Sequence, residues 1–497
     1  MSYITKPGVL DESYKESQQE TNAHLAAIAK ALGGDASGHI KNFAMLQTYV
    51  RLGTIGQYLS KGDAIKVSKE SSISATLGAG NTGTAAVVVS GESTFLAKVG
   101  SSETHTYEFV SDGTVWSLDG ESITPAEYGL TITGTPAAND TFAVTVQADA
   151  IIFDVLGTND FDVPVNSTLE HTLPLISRDI LSYGVIAQNP PQALKAIAAD
   201  EFANGMPAGT YNITLDHGAY DNGTGQDGTF QFTTTQAVPV GGKIKHTKIG
   251  VYESDGQYTK AKILAGTFTT YDADYNVIES GLVTTEGSSG TSLGTCTAED
   301  PTYMSGTHLN STRRQGQGSN RGSHSNIRKW ANSDAAGAAA GAIASWWYPS
   351  DEFDMPPKTT IPGFKHGLDP EFVACICPVR KRTYLHVWDQ NGETYEDTDE
   401  EIFQLSMTEL GYGNNNSVDE GSPKGDGNIN KSGAYPLYDG ATNADRIKRQ
   451  NGTARYWFHR SPYPSDAGNV RSSSSDGSLS NNGAYYTHGA VLGLCIG

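Results

Sequence analysis

Cysteine is scarce in this chain, with four in 497 residues: Cys296, Cys375, Cys377 and Cys495. That is too few and too scattered for a disulfide framework, and Cys375 and Cys377 in FVACICPV have strand spacing, not the CxxC spacing of a metal site. Buried free thiols are expected. Also missing are a charged-then-apolar signal segment and any run near the ~20 apolar residues that span a bilayer, so synthesis in a cytoplasm without membrane insertion is expected. Basic residues are outnumbered, 34 against 55 acidic, for a net charge of -21. That balance argues against nucleic acid as a partner, because phosphate binding draws on clustered Lys and Arg. No GxSxG, HExxH, P-loop or CxxC pattern occurs, and the 12 His show no ligand spacing. No catalytic residue, metal or cofactor is therefore expected. His366 with Asp369, and His386 near Glu396, are isolated polar groups. Asp272, Asp274 and Asn276 imitate the start of a calcium loop, but Val277 and Val283 stand where Gly and Glu are needed, which favours a β-turn.

What is abundant is turn chemistry. The 56 Gly and 24 Tyr, with only 18% charged and 37% hydrophobic residues, indicate a mainly β or α+β protein. Residues 11–34 carry a helical seam at Tyr14, Gln18, Thr21, Leu25, Ile28 and Leu32, and a second helical pattern runs from His39 to Leu59 with Ile40, Phe43, Leu46 and Val50 on one face. Together they predict an N-terminal helical arm over 1–62, suited to attachment or oligomerisation. From 63 the period changes to two. HTYEFVSDGTVWSLDGES predicts strands separated by turns at Asp112-Gly113 and Asp119-Gly120, within a small β module spanning 63–149. A further β domain is expected over 150–295 and an α+β domain over 296–497. In the last, a helix at SHSNIRKWANSD is capped by Ser323 or Ser325, and a hairpin turns at Asn391-Gly392 before Ile402, Phe403 and Leu405. The long 411–445 loop region is rich in Gly, Asn and Pro, and compact domains seldom carry such a loop idle.

The end of the chain mixes two kinds of residue. Trp457, Arg460, Pro462, Val470, Gly477, Leu479, Ala484 and Gly489 look like framework, with Trp457, Val470 and Leu479 inward. Between them lie small polar or aromatic residues: His459, Tyr463, Ser465, Asp466, Asn469, Ser472, Ser473, Ser474, Ser480, Asn481, Asn482, Tyr485, Tyr486 and His488. Tyr with Ser, Gly and Asn is the composition of adaptable contact surfaces, since Tyr gives large contact area at low entropy cost and the small residues supply hydrogen bonds. These fourteen residues form the expected ligand-binding face, and 490–497 is expected to close the domain as a strand.

The same segment resembles the C-type-lectin-fold proteins of phages and prophages, several of them targets of diversity-generating retroelements. Tyr456-Trp457, Arg460-Ser461-Pro462, Val470, Gly477-Ser478-Leu479, Ala484 and Gly489 match that family's pattern in order. The likeness extends upstream through SNIRKWANSDA, WWYPSDEFDMPP, GFKHGLDPEFVA and VRKRTYL, over roughly 300–497, and departs at Gly489-Ala490-Val491-Leu492-Gly493. The resemblance implies a virion protein displaying a lectin-like variable surface to a bacterial receptor or glycan, on a tail fibre, receptor-binding protein or capsid decoration. It also implies attachment to other virion proteins through the arm, and a homotrimer is the expected assembly. A virion glycan depolymerase and a purely structural shell or tail component stay open as alternatives.

Overall fold

The computed structural model describes residue 40 and residues 42–497 apart from 92–94, 96–104, 159–161, 167, 217–227, 247–265, 285–288, 298–308, 414–419 and 422–432. The proposed seam over 11–34 lies outside the described residues. The chain is mainly β. One eight-stranded sheet runs in the order Ile402–Phe403, Gly493–Ile496, Leu173–Ser177, Ala138–Val155, His105–Asp112, Trp116–Leu118, Glu121–Ile123, and Ala64–Leu77 also pairs with Ala138–Val155. A seven-stranded sheet is built from the 195–297 region, where Thr291–Thr297 lies parallel to Gly209–Asp216 and the other pairings within it are antiparallel.

Local chemistry explains many of these elements. Asp119 and Gly120 both take positive φ, 51° and 85°, and join Leu118 to Glu121 through a two-residue turn. The Asp272 carboxylate accepts from the amides of Asp274 and Asn276 at 2.9 and 2.8 Å, so the calcium-like sequence is a β-turn between Gly266–Tyr271 and Val277–Thr284. Ser325 caps the helix Asn326–Ala331 by accepting from the Arg328 amide. The hairpin of Val379–Tyr384 with Tyr395–Glu400 has Gly392 at φ 93°, and a short 3-10 turn at Val387–Asp389 widens its loop.

The expected boundary at 149 falls inside a strand, whereas that at 295 lies two residues before the seven-stranded sheet ends. Ala138–Val155 is one strand of 18 residues whose early part pairs with His105–Asp112 and whose end pairs with Leu173–Ser177. The chain's last strand, Gly493–Ile496, fits antiparallel between Leu173–Ser177 and Ile402–Phe403, so the C-terminal body is completed by residues far upstream. Of the expected closing strand 490–497, residues 493–496 form it.

The helical arm is corrected in its described part. The helix Phe43–Arg51 exists, but Leu46 and Val50 are fully buried in the same core as Phe153, Leu175, Trp330, Phe372, Phe458 and Leu494. Gln47 Nε2 and Arg51 Nη2 donate to the Gly497 carbonyl at 2.7 and 3.2 Å. An amphipathic face with an apolar groove at hand is buried in it, because burying a Leu or Val gains ~1.5–3 kcal/mol. Leu46→Ala is therefore expected to destabilise the C-terminal body by ~2–5 kcal/mol in denaturant unfolding followed by Trp fluorescence. An unchanged midpoint would show that the helix is a detachable arm after all.

Candidate functional site

The strands Trp457–Pro462, Asn469–Ser473 and Leu479–Gly483 form a three-stranded antiparallel sheet. Trp457, Val470 and Ala484 are fully buried, as framework positions should be. Leu479 is not: it is half-buried, opposite Ser473. Beneath the sheet lies a buried set of charges. Arg460 contacts Glu409, donates to the Gln404 carbonyl at 2.9 Å and to Thr383 Oγ1 at 3.1 Å. Lys381 contacts Asp162 and lies 3.0 Å from Glu409. Burial drives the Glu409 pKa up, but Arg460 and Lys381 outweigh it and hold the carboxyl below its usual range. Glu420 accepts from Ser461 Oγ at 2.6 Å and from the Tyr384 amide at 3.0 Å, and burial pushes its pKa up to about 7.

Five of the expected contact residues belong to this interior. His459, Asp466, Ser472, Ser473 and Ser474 are buried. His459 Nε2 lies 2.9 Å from Ser473 Oγ, and the same hydroxyl meets Tyr412 Oη at 2.9 Å. Ser472 Oγ accepts from Asn482 Nδ2 at 2.9 Å. Ser474 caps a turn: its amide donates to the Ser478 carbonyl, and its hydroxyl contacts Asp476. That turn needs glycine at 477, where φ is 80° and an added Cβ would lie 1.8 Å from the Asn443 carbonyl oxygen. Asp466 accepts from the Gly468 amide and from Asn469 Nδ2, and pairs with Arg313 Nη1 at 3.2 Å. Asn320 Nδ2 pins the adjoining loop through the carbonyls of Tyr463, Asp466 and Asn469 at 3.3, 2.8 and 3.1 Å. The reason is general: a hydroxyl or carboxyl with local donors satisfies itself inside, and composition does not reveal which side it faces.

The outward residues are fewer. Ser465, Asn481, Tyr485 and Tyr486 are exposed, while Tyr463, Asn469, Ser480, Asn482 and His488 are half-buried. Tyr463 lies under Arg471, 4.7 Å from guanidinium carbon to ring centroid. Tyr485 and Tyr486 stack at 4.3 Å, Tyr486 and His488 at 5.1 Å and 4°, and His488 and Tyr456 at 5.2 Å and 25°. The tyrosines of this four-ring ladder are 39%, 43% and 36% exposed at 485, 486 and 456. Stacking holds the rings before any partner arrives, which lowers the ordering cost of binding. Gly184 donates to the Thr487 carbonyl at 2.7 Å, bringing half-exposed Val185 and the Tyr183–Arg455 cation–π pair beside it. Tyr456, Tyr183, Arg455 and Val185 were missed as site residues. Strand alternation holds a signal for Tyr456, since it precedes inward Trp457 by one residue; nothing local points to 183 and 185, which arrive by tertiary pairing.

The isolated polar groups named from the sequence are each engaged elsewhere in the fold. Asp369 caps the helix Pro370–Cys375, His366 Nδ1 meets the Asp334 carbonyl, and His386 caps a 3-10 turn with its pKa lowered to about 4 by burial and Arg314. Glu396 pairs with Arg321 at 2.9 Å. Among the described residues no three His, Cys, Asp or Glu are grouped to hold a metal, and Cys375, Cys377 and Cys495 are buried free thiols. The described helices include none long and apolar enough to cross a membrane.

Residues 302–495 match DUF6273, a domain of unknown function. The matched residues include Lys381, Glu409, Arg460 and the aromatic ladder, but not Asp162, the strand Leu173–Ser177 or the helix Phe43–Arg51 that complete the core around them. No curated protein and no solved structure matches the chain.

The buried imidazole of His459 sets a pH dependence. Burial, then Arg471, Arg446 and Arg460, lower the His459 pKa to about 3, so between its ordinary value near 6.5 and about 3 the unfolded chain takes up a proton that the folded chain refuses. Stability from this group is present above the ordinary value and is lost as pH falls. Wild type should lose ~1 kcal/mol per pH unit relative to His459→Gln between pH 6 and 4, measured by denaturant titration at each pH. A constant difference would mean that His459 is not held neutral.

Proposed function

We propose that this chain is a bacteriophage virion protein that adheres to a bacterial surface receptor or glycan through the face built on Tyr456, Tyr485, Tyr486 and His488, with Ser465 and Asn481 at its polar margin. The observation that carries the reading is the exposed, prestacked aromatic ladder on a sheet whose neighbouring polar residues are bonded internally. Exposed aromatics beside small polar side chains supply both apolar area and hydrogen bonds, the combination that contact surfaces use. The resemblance to phage lectin-fold proteins supports the virion assignment, and a C-type-lectin-like fold for 296–497 belongs to the same proposal. Weak single sites would suffice, because several copies on one particle raise effective affinity by roughly 10²-fold or more. A homotrimer is the arrangement that supplies those copies.

The purified full chain should bind some members of a panel of immobilised bacterial surface polysaccharides and mucin glycans. The double variant Tyr485→Ala, Tyr486→Ala should weaken that binding by ~30-fold or more, the value of a ~2 kcal/mol hot spot, with an unchanged melting temperature. Equal binding by the variant would remove the ladder from the contact. Loss of oligomeric mass in the variant would instead assign the ladder to a subunit interface.

A further inference from the structure

We propose that Lys381 and Asp162 condense to an intramolecular isopeptide bond, with Glu409 as proton shuttle. The three side chains meet with no exposed surface on any of them: Lys381 Nζ contacts Asp162 Oδ1 and lies 3.0 Å from Glu409 Oε1. The walls are aromatic, with the Phe403 centroid 3.9 Å and the Tyr435 centroid 5.2 Å from Nζ. Asp162 Oδ2, the oxygen turned away from the amine, receives the Tyr435 hydroxyl at 2.8 Å and the Cys495 thiol at 3.3 Å.

Each part has a defined task. In water an ammonium and a carboxylate do not condense, because both are ionised and water drives hydrolysis. A dry site removes both obstacles. The resting form is the ion pair, because burial, which lowers the Lys381 pKa, is outweighed by Asp162 and Glu409, which hold it up; passing one proton from Lys381 to Asp162 across their direct contact gives the neutral amine and acid that react. Fixed contact then supplies the effective concentration, ~10⁵ M or more for well-aligned groups. The Lys381 amine attacks Asp162 Cγ, and the charge that develops on Oδ2 is met by the two donors already aimed at it, Tyr435 and Cys495. Glu409 is held as a carboxylate acceptor: its Oε2 is taken by Arg460 and by the Ser406 amide at 2.8 Å, which leaves Oε1 facing the amine. Oε1 takes the proton from the attacking nitrogen and returns it to the Oδ1 hydroxyl. The C–Oδ1 bond breaks, one C–N bond has formed, and one water leaves. No oxidant, cofactor or second substrate is needed.

The position gives the bond a mechanical purpose. Residues 162 and 381 are 219 apart in sequence. The bond would tie the segment between Ala138–Val155 and Leu173–Ser177 to the strand Val379–Tyr384, whose Thr383 hydroxyl and Arg382 carbonyl accept from Arg460 of the three-stranded sheet. Pulling on the outward face would then load a covalent link and not an ion pair alone. This inference does not rest on the proposed adhesion, since the chemistry is internal.

Intact mass of the denatured full chain decides it. The wild type should be lighter than its sequence by one water, and proteolysis followed by fragmentation should yield a branched peptide joining Lys381 to Asp162. Lys381→Arg should restore the full mass, and Glu409→Gln should restore it or leave a mixture of the two. A wild-type chain at full mass, or a water loss located at any other pair, including Lys381 with Glu409, would overturn the proposal. The outcome is independent of whether the variants fold, because the wild-type mass alone decides.

Discussion

Lys381, Asp162, Glu409 and Arg460 are buried together, and as the chain folds, before any bond joins Lys381 to Asp162, each charge costs several kcal/mol to remove from water unless its partners are in place. The partners come from four separate parts of the chain: the segment after Val155, the strand Val379–Tyr384, the turn after Leu405 and the strand Trp457–Pro462. A network of this kind tolerates one arrangement only, because removing any member leaves an unpaired charge in a dry interior. Two cations face three carboxyl groups if Glu420 is counted, and its pKa of about 7 means that the charges balance most nearly when Glu420 keeps its proton. The network thereby fixes the strand that carries Trp457 and His459 relative to the eight-stranded sheet.

A rigid support changes what the surface above it has to do. Polar residues near the network, His459, Ser472, Ser473 and Ser474, are used up in holding strands and turns to each other. The residues at the far edge, from Tyr485 through His488 to Tyr456, are stacked among themselves. Framework and face are therefore separated in space, although they alternate in sequence. The long loop region over 411–445 contributes to the support, with Tyr435, Tyr438 and Glu420 fully or almost fully buried.

Short-range features were legible in the sequence. The Asp119-Gly120 turn, the Ser325 cap, the apolar face of Leu46 and Val50, and the inward Trp457 and Val470 follow from backbone and periodicity rules that act within a few residues. Long-range features were not. That Gly493–Ile496 pairs with Leu173–Ser177 depends on a partner more than 300 residues away, and that Phe43–Arg51 docks against the C-terminal core depends on a groove no local pattern encodes. The four serines from 472 to 475 illustrate the same limit at one site. Three of them are buried by hydrogen bonds to Asn482, His459, Tyr412 and Ser478, and only Ser475 is exposed, yet all four look alike in sequence.

The separation of support from face is tested most directly by saturation mutagenesis of residues 456–489 in the full chain, scored by protease resistance of the folded product. The account predicts that Ser465, Asn481, Tyr485 and Tyr486 accept most substitutions, whereas His459, Asp466, Ser472, Ser473 and Gly477 accept few. Equal tolerance at the buried serines and the exposed tyrosines would contradict it.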